Sequence, residues 1–334
     1  MSQIGIDIGT ISTQALRWHD GGWTTEQVPP RGARFARVIA ALPAADSFLR
    51  VVVLPEIASH DVAAAVRWEM QRVLPYPVDK AVLDYIPLDP GRSSEVRQLH
   101  TRRQSPEGVQ RRYAVTGATI SAVDSRMQHL RQRGIRVKSL ESEWITLWRL
   151  ALVAAQRTAV ACGVVDLGAS GTRLLIVDSE GVPVVAHEVR TGVAALVEEI
   201  ARRLQITEEQ AKTASLGELA DDLGVLNDSP ALASLVGEIS RAVRHASRRT
   251  EGDGFELYAI GGGACWLGLR RTVEQAIGVS ATLPGDGAGW LSGLSPATAI
   301  AGFLALYGES LDNVDASLPQ VAAPVVREGD HFAI

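Results

Sequence analysis

The 334-residue chain is poor in several things, and each shortage excludes a class of protein. It has two cysteines, Cys162 and Cys265, too few for a disulfide framework and in no metal-ligand spacing, so a reducing compartment is expected. Its seven histidines show no metal spacing either. Aromatic residues make up only 5%, so the core must be built mostly from Ala, Leu, Val and Ile. Basic residues are not in excess: 33 Lys and Arg face 38 Asp and Glu, whereas a dedicated nucleic-acid binder should be basic. There is no long hydrophobic run. The most apolar stretch, Leu147 to Val165, is interrupted by Arg149, Gln156 and Arg157, and a membrane span needs about 20 mostly apolar residues. Met1-Ser2-Gln3-Ile4 leads straight into a β pattern with no basic or apolar leader segment, so no secretory signal is expected. These absences point to a soluble cytoplasmic chain without direct membrane insertion and without a nucleic-acid partner.

What is present is a 46% apolar chain with 31 glycines, more than the average of roughly 7%. The length suits two domains, or one large α/β body with an insertion. Strand patterns lie at Ile4–Ile8, Val51–Leu54, Ala81–Leu88, Tyr113–Ala118, Ile135–Leu140, Val160–Asp166, Thr172–Asp178, Pro183–Val189 and Leu257–Ile260. Helical spacing of Val62, Val66, Met70 and Val73 predicts a helix capped by Ser59 and stopped by Pro75-Tyr76-Pro77. Further helices are expected over Ser121–Arg133, 141–158, Ala194–Leu204, Glu208–Leu216, Ser229–Arg249, Trp266–Ile277 and Pro296–Tyr307. Trp144 and Trp148, four apart, are read as core. Pro90–Arg112 is polar and Arg-rich and reads as a long solvated loop or hairpin.

The most informative feature is an internal duplication. Ile6-Asp7-Ile8-Gly9-Thr10-Ile11-Ser12-Thr13-Gln14 can be written above Val165-Asp166-Leu167-Gly168-Ala169-Ser170-Gly171-Thr172-Arg173. Each copy is an apolar strand ending in Asp, a turn of Gly and small hydroxyl residues, and a second strand. Glycine allows a tight turn and close approach of a ligand to backbone, and successive turn amides form an anion nest. An Asp at the strand end repels phosphate but can hold a hydrated Mg²⁺, which takes one or two carboxylates and keeps several waters. One Asp-x-Gly turn is ordinary in a β-rich protein. Two copies half a chain apart suggest a clamp on a triphosphate. A third element, Ala259-Ile260-Gly261-Gly262-Gly263-Ala264, runs from strand through glycines into a helix. It suits either a packing-driven turn or close approach of a flat ring to bare backbone.

These segments, in this order, resemble the phosphate-1, phosphate-2 and adenosine motifs of the actin-like ATPase superfamily. Within it the chain resembles the FtsA-like PilM family of type IV pilus assembly. Leu54-Pro55-Glu56, Ala64 to Glu69, Leu74-Pro75-Tyr76-Pro77, Leu83-Asp84-Tyr85, Val189-Arg190-Thr191-Gly192 and Glu209-Gln210-Ala211-Lys212 carry the closer likeness, which spans about residues 3–308.

The resemblance implies an α/β actin-like fold: two RNase H-like halves around a nucleotide cleft, with a small FtsA-type subdomain inserted in the first. The first half would take residues 1–33 and 141–159, completed by about 290–308. The insert would be 34–140. The second half would be 160–289, with a helical subdomain at about 191–254, and 309–334 would be a tail. The implied cofactors are ATP and Mg, with Asp7 and Asp166 holding the metal through water. Gly9, Thr10, Ser12, Gln14, Gly168, Ala169 and Ser170 would meet the phosphates. Gly261, Gly262 and Gly263 would meet the adenosine, and Glu209 and Lys212 the ribose. The implied partner is the N-terminal cytoplasmic tail of a PilN-type inner-membrane protein, which would recruit the chain to that membrane; self-association is also open.

The chain departs from the family where a lysine is usual in phosphate 1, since Gln14 stands there and donates only a neutral hydrogen bond. Arg173 holds the matching place in the second hairpin, where strand alternation can turn it away. No residue stands out as orienting an attacking water, so hydrolysis is expected to be weak or absent. Two other readings stay open: a small-molecule kinase of the same superfold, and a nucleotide-free interaction module of a type II secretion or related pilus system.

Overall fold

A computed structural model describes residues 3–9, 12–19, 22–28, 37–88, 110–216, 223–248, 255–283 and 298–302. Its first sheet joins β1 (Gln3–Ile8), β2 (Thr13–His19), β3 (Gly22–Thr25), β4 (Arg37–Leu42) and β8 (Ser139–Ser142). The spatial order is β3-β2-β1-β4-β8. Strands β1, β2 and β3 are antiparallel neighbours, while β4 and β8 run parallel to β1. The second sheet repeats this plan with β9 (Ala161–Leu167), β10 (Thr172–Val177), β11 (Pro183–Val189), β12 (Phe255–Ile260) and β13 (Ala281–Thr282), in the order β11-β10-β9-β12-β13. Again the first three are antiparallel and the last two parallel. The duplication read from two short motifs is therefore a duplication of whole five-stranded sheets.

Between β4 and β8 the chain detours through a third, antiparallel sheet. It contains β5 (Ser47–Pro55), β6 (Ala81–Pro87) and β7 (Gln110–Thr119) in the order β5-β7-β6. Helix α1 (Val62–Val73) buries Val62, Val66 and Met70 against Leu54, Tyr113 and Val115. Its N-cap is Asp61, not Ser59, and Val73, its last residue, stays 48% exposed.

The register corrects the insert boundaries of 34 and 140. Residues Arg37–Leu42 pair with β1 and with β8, so the detour begins only after Leu42. Helix α2 (Ile120–Gln132) also belongs with the first sheet, because its Leu130 packs with Ile4, Ile6 and Ile8. Continuous apolar runs such as Val38 to Leu42 look alike in any buried strand, so only pairing assigns them to a sheet. Arg111 and Arg112, expected in a solvated loop, lie on β7. Arg111 is paired with Glu56 at 2.6 Å and Arg112 with Glu180 at 3.3 Å.

Helix α3 (Glu143–Thr158) joins the halves. Ser142 caps it by accepting from the Trp144 amide, and every residue from Glu143 to Ala155 is buried. A helix that is apolar nearly all round must be covered on several sides. Here the cover comes from both duplicated sheets: Ile39 and Ala41 on one side, Val164, Leu175 and Val177 on the other. Each fully buried Leu of this helix contributes about 1.5–3 kcal/mol of transfer free energy. The two tryptophans are core residues with satisfied indoles: Trp144 Nε1 donates to Ala44 O at 3.1 Å and Trp148 Nε1 to Gly181 O at 2.8 Å.

Over the second sheet lie α4 (Val193–Leu204), α5 (Glu208–Leu216), α6 (Pro230–Ser247) and α7 (Leu267–Ile277). Ser229 caps α6 through the Leu232 amide. Residues 298–302 return to the first half, where Ala299 and Ala301 are buried and Gly302 O accepts from Trp23 Nε1. The expected tail at 309–334 and Arg97 to Arg103 lie outside the described residues, as does most of the expected last helix.

Candidate functional site: an acidic cleft with an internal guanidinium

In each hairpin the sequence-named Asp faces a fixed partner across the strand pair. Asp7 opposes Gln14 on β1–β2, and Asp166 opposes Arg173 on β9–β10. Directly opposed residues of an antiparallel pair point to the same face. Arg173 therefore does not turn away. Wherever Asp166 points, Arg173 points too, and its Nη1 donates to Asp166 Oδ2 at 2.9 Å. Its Nε lies 3.4 Å from Oε2 of Glu143, the first residue of α3. Glu143 also accepts from the Ala44 amide at 2.9 Å. One guanidinium thus ties the second hairpin to the helix that links the halves.

The turns are built around this contact. A Cβ on Gly168 would lie 2.9 Å from Arg173 Nη1 and 2.7 Å from Gly171 O, so the bare backbone leaves the guanidinium its space. The carbonyls of Gly168 and Ala169 accept from the amides of Val193 and Ala194, which anchors the start of α4 on the loop. Ser170 is exposed on the same turn. In the first hairpin the Gly9 amide closes the turn on Ser12 O at 2.9 Å; both residues are exposed, and Gln14 is half-buried. Thr10 lies outside the described residues.

The glycine triplet divides between the two readings left open for it. Gly261 has φ +83°, and a Cβ there would meet Asp166 Oδ1 at 2.3 Å; Gly263 is pressed against Val193 and Leu167. These two are glycines because of packing. Gly262 alone faces open space, with nothing within 4 Å of a built Cβ. The triplet thereby brings β12 directly against the acidic cleft. Cys265, whose place beside the glycines suggests a small buried residue, is exposed on the following turn. Glu209 and Lys212 lie on α5, exposed and half-buried respectively, while Ala211 between them packs into the core with Leu196 and Ile200. A cavity of about 580 Å³ elsewhere, between β5, β11 and α6, includes none of the sequence-named residues.

Electrostatics follow from the enclosure. Burial, then the neighbouring Asp166 charge, pushes the Asp7 carboxyl up to about 6, with Arg173 and Arg126 pulling the other way. Burial likewise raises Glu143 to about 7, opposed mainly by Arg173. Burial lowers the Arg126 pKa, against the pull of Asp7; its guanidinium donates to Ala41 O at 2.9 Å, which holds it beside β1. For Arg173, burial disfavours the charge, but Glu143 and Asp166 together outweigh it and raise its pKa.

The buried acceptor Asp7 Oδ1 lacks a hydrogen-bond partner, and Arg173 Nε has only its 3.4 Å ion-pair contact with Glu143. Buried polar atoms are normally satisfied, so an acceptor left open beside a guanidinium fits a polar ligand. Of the two carboxylates expected to hold Mg, Asp166 has its Oδ2 bonded to Arg173, and Asp7 Oδ1 has no hydrogen-bond partner. Sequence reasoning missed Glu143 and Arg126. Glu143 reads as an ordinary acidic first-turn helix residue, and Arg126 as one of several arginines on an exposed face. The cross-strand register could have recovered Arg173.

Two five-stranded sheets of order 3-2-1-4-5, each with an Asp-bearing hairpin and joined through a buried helix, define an actin-like fold. The chain belongs to the family described as type IV pilus assembly protein PilM, whose profile matches residues 27–285. No curated protein sequence matches the chain significantly. Among solved structures, the PilM–PilN type IV pilus biogenesis complex matches at TM-score 0.70 and 22% identity, covering 92% of this chain and 98% of that one. The ethanolamine utilization protein EutJ of Carboxydothermus hydrogenoformans matches at TM-score 0.44 and 14% identity, over 92% of this chain and 90% of its own. The cytoplasmic domain of EpsL from the Vibrio cholerae type II secretion system matches at 0.36 and 12%, over 60% and 75%. Among the described residues no helix is long and apolar enough to cross a membrane.

Proposed function

We propose that the chain is an ATP-binding, actin-like adaptor of type IV pilus assembly that holds the N-terminal tail of a PilN-type inner-membrane protein. Family membership over residues 27–285 carries this reading. The solved complex of a relative pairs PilM with PilN, and binding such a tail would bring this chain to the membrane. It acts from the cytoplasmic side in this reading.

The nucleotide part rests on the cleft. The Arg173 guanidinium, held on Asp166, would donate to a phosphate oxygen. The open face of Gly262 would admit the base to bare backbone. Hydrolysis is weak or absent, and the nucleotide acts by stabilising one arrangement of the halves. The kinase reading has no support from the family match.

The test has two arms. A synthetic peptide of a PilN-type N-terminal tail should bind the full chain, and failure to bind would remove the adaptor reading. Gly262→Val should leave the melting temperature within about 2 °C, because its side chain meets open space. It should weaken ATP at least about tenfold by filling the entry. Unchanged ATP affinity would take the glycine triplet out of the nucleotide site.

A further inference from the structure

Three carboxylates, Asp7, Glu143 and Asp166, converge on this cleft, and a cation must balance them. The chain supplies one itself. Arg173 Nη1 bonds Asp166 Oδ2 at 2.9 Å, and its Nε is 3.4 Å from Glu143 Oε2. That Glu143 oxygen is further committed to the Ala44 amide. Both carboxylates are buried, with side chains 6% exposed. Gly168 is shaped to admit the guanidinium, since any Cβ there would press on Nη1. The contact is thus built into the hairpin from both sides.

We propose that Arg173 is the resident counter-charge of the cleft and replaces a divalent metal ion there. Mg²⁺ needs several oxygen ligands at about 2.0–2.1 Å in octahedral array. Here the guanidinium engages Asp166 Oδ2 and Glu143 Oε2, so two of the three carboxylates already face a cation. A fixed positive charge beside them also repels a second cation. Guanidinium is, in addition, a planar donor suited to phosphate. A polyphosphate can then bind without an obligatory metal. This last consequence rests on the nucleotide reading above; the counter-charge itself does not.

The experiment is Mn²⁺ binding followed by electron paramagnetic resonance, on the full chain without nucleotide. The wild type should take up no stoichiometric Mn²⁺. Arg173→Gln should gain one site, lost again in the Arg173→Gln, Asp7→Asn double variant, while Arg173→Lys should gain none. Stoichiometric Mn²⁺ on the wild type, or a folded Arg173→Gln that gains no site, overturns the proposal. Should Arg173→Gln fail to fold, the wild-type measurement still decides. ATP titration of the wild type with Mg²⁺ and with EDTA separates the two readings. Affinities within about threefold support both. ATP binding that requires Mg²⁺ overturns metal replacement but keeps the nucleotide reading. No ATP binding in either buffer, with no Mn²⁺ uptake, removes the nucleotide reading and keeps the counter-charge.

Discussion

Gly261→Ala should destabilise the protein by about 4 kcal/mol or more, enough to lose cooperative folding in a marginal domain. The causes add. At φ +83° a Cβ-bearing residue is strained by about 1–2 kcal/mol. The new methyl would also stand 2.3 Å from Asp166 Oδ1 and 2.7 Å from Leu167 O. Backbone oxygen cannot yield, so Asp166 or strand β12 must move. Moving Asp166 breaks its bond to Arg173 and leaves a buried carboxylate without its counter-charge, which costs about 3–5 kcal/mol where a buried pair loses a partner. Urea unfolding is the measurement. Gly262→Ala is the control, because one residue along the same turn a methyl meets nothing. If the two variants lose stability equally, the fit of Gly261 on Asp166 is not what the turn requires.

The second large effect is pH dependence. Glu143 sits near 7 in the fold against an ordinary 4.5, and Asp7 near 6 against 3.8. Both are raised, so the folded state binds more protons than the unfolded chain across these windows. Stability then falls as pH rises, from about 4 up to about 7, and levels above that. Taking each unit as 1.36 kcal/mol, the two groups together cost about 4 kcal/mol between pH 5 and pH 8. Arg173, Arg126, Asp166 and the Ala44 amide are the groups facing them, and the cations limit the effect without reversing it. Glu143→Gln keeps the volume and an acceptor for Ala44 but removes the ionisation. Its stability relative to wild type should therefore improve by about 2 kcal/mol on going from pH 5 to pH 8. Parallel pH profiles for the two proteins would show that Glu143 titrates at its ordinary value.

Much of the site was readable because hairpins are local. Asp7 and Asp166 sit at strand ends before glycine turns, and both turn and strand are encoded within a dozen residues. The pairing of Asp166 with Arg173 follows from that hairpin's register alone. The glycine triplet was legible as a turn but not as three different glycines. Which one carries a strained φ, and which one faces open space, depends on β9 lying beside β12. Glu143 was illegible for the same reason. It reaches the cleft only because α3 packs between two sheets whose strands come from opposite ends of the chain.

By itself, then, the sequence determined the elements, the two Asp-bearing hairpins and the family to which they belong. It did so because strand period, turn glycines and caps act over short distances. Only the tertiary structure decided that residues 37–42 complete the first sheet, and that Arg173 lies between Asp166 and Glu143. Those outcomes rest on pairings between segments far apart in the chain. Burial then gives a handful of charges energies that no local pattern records.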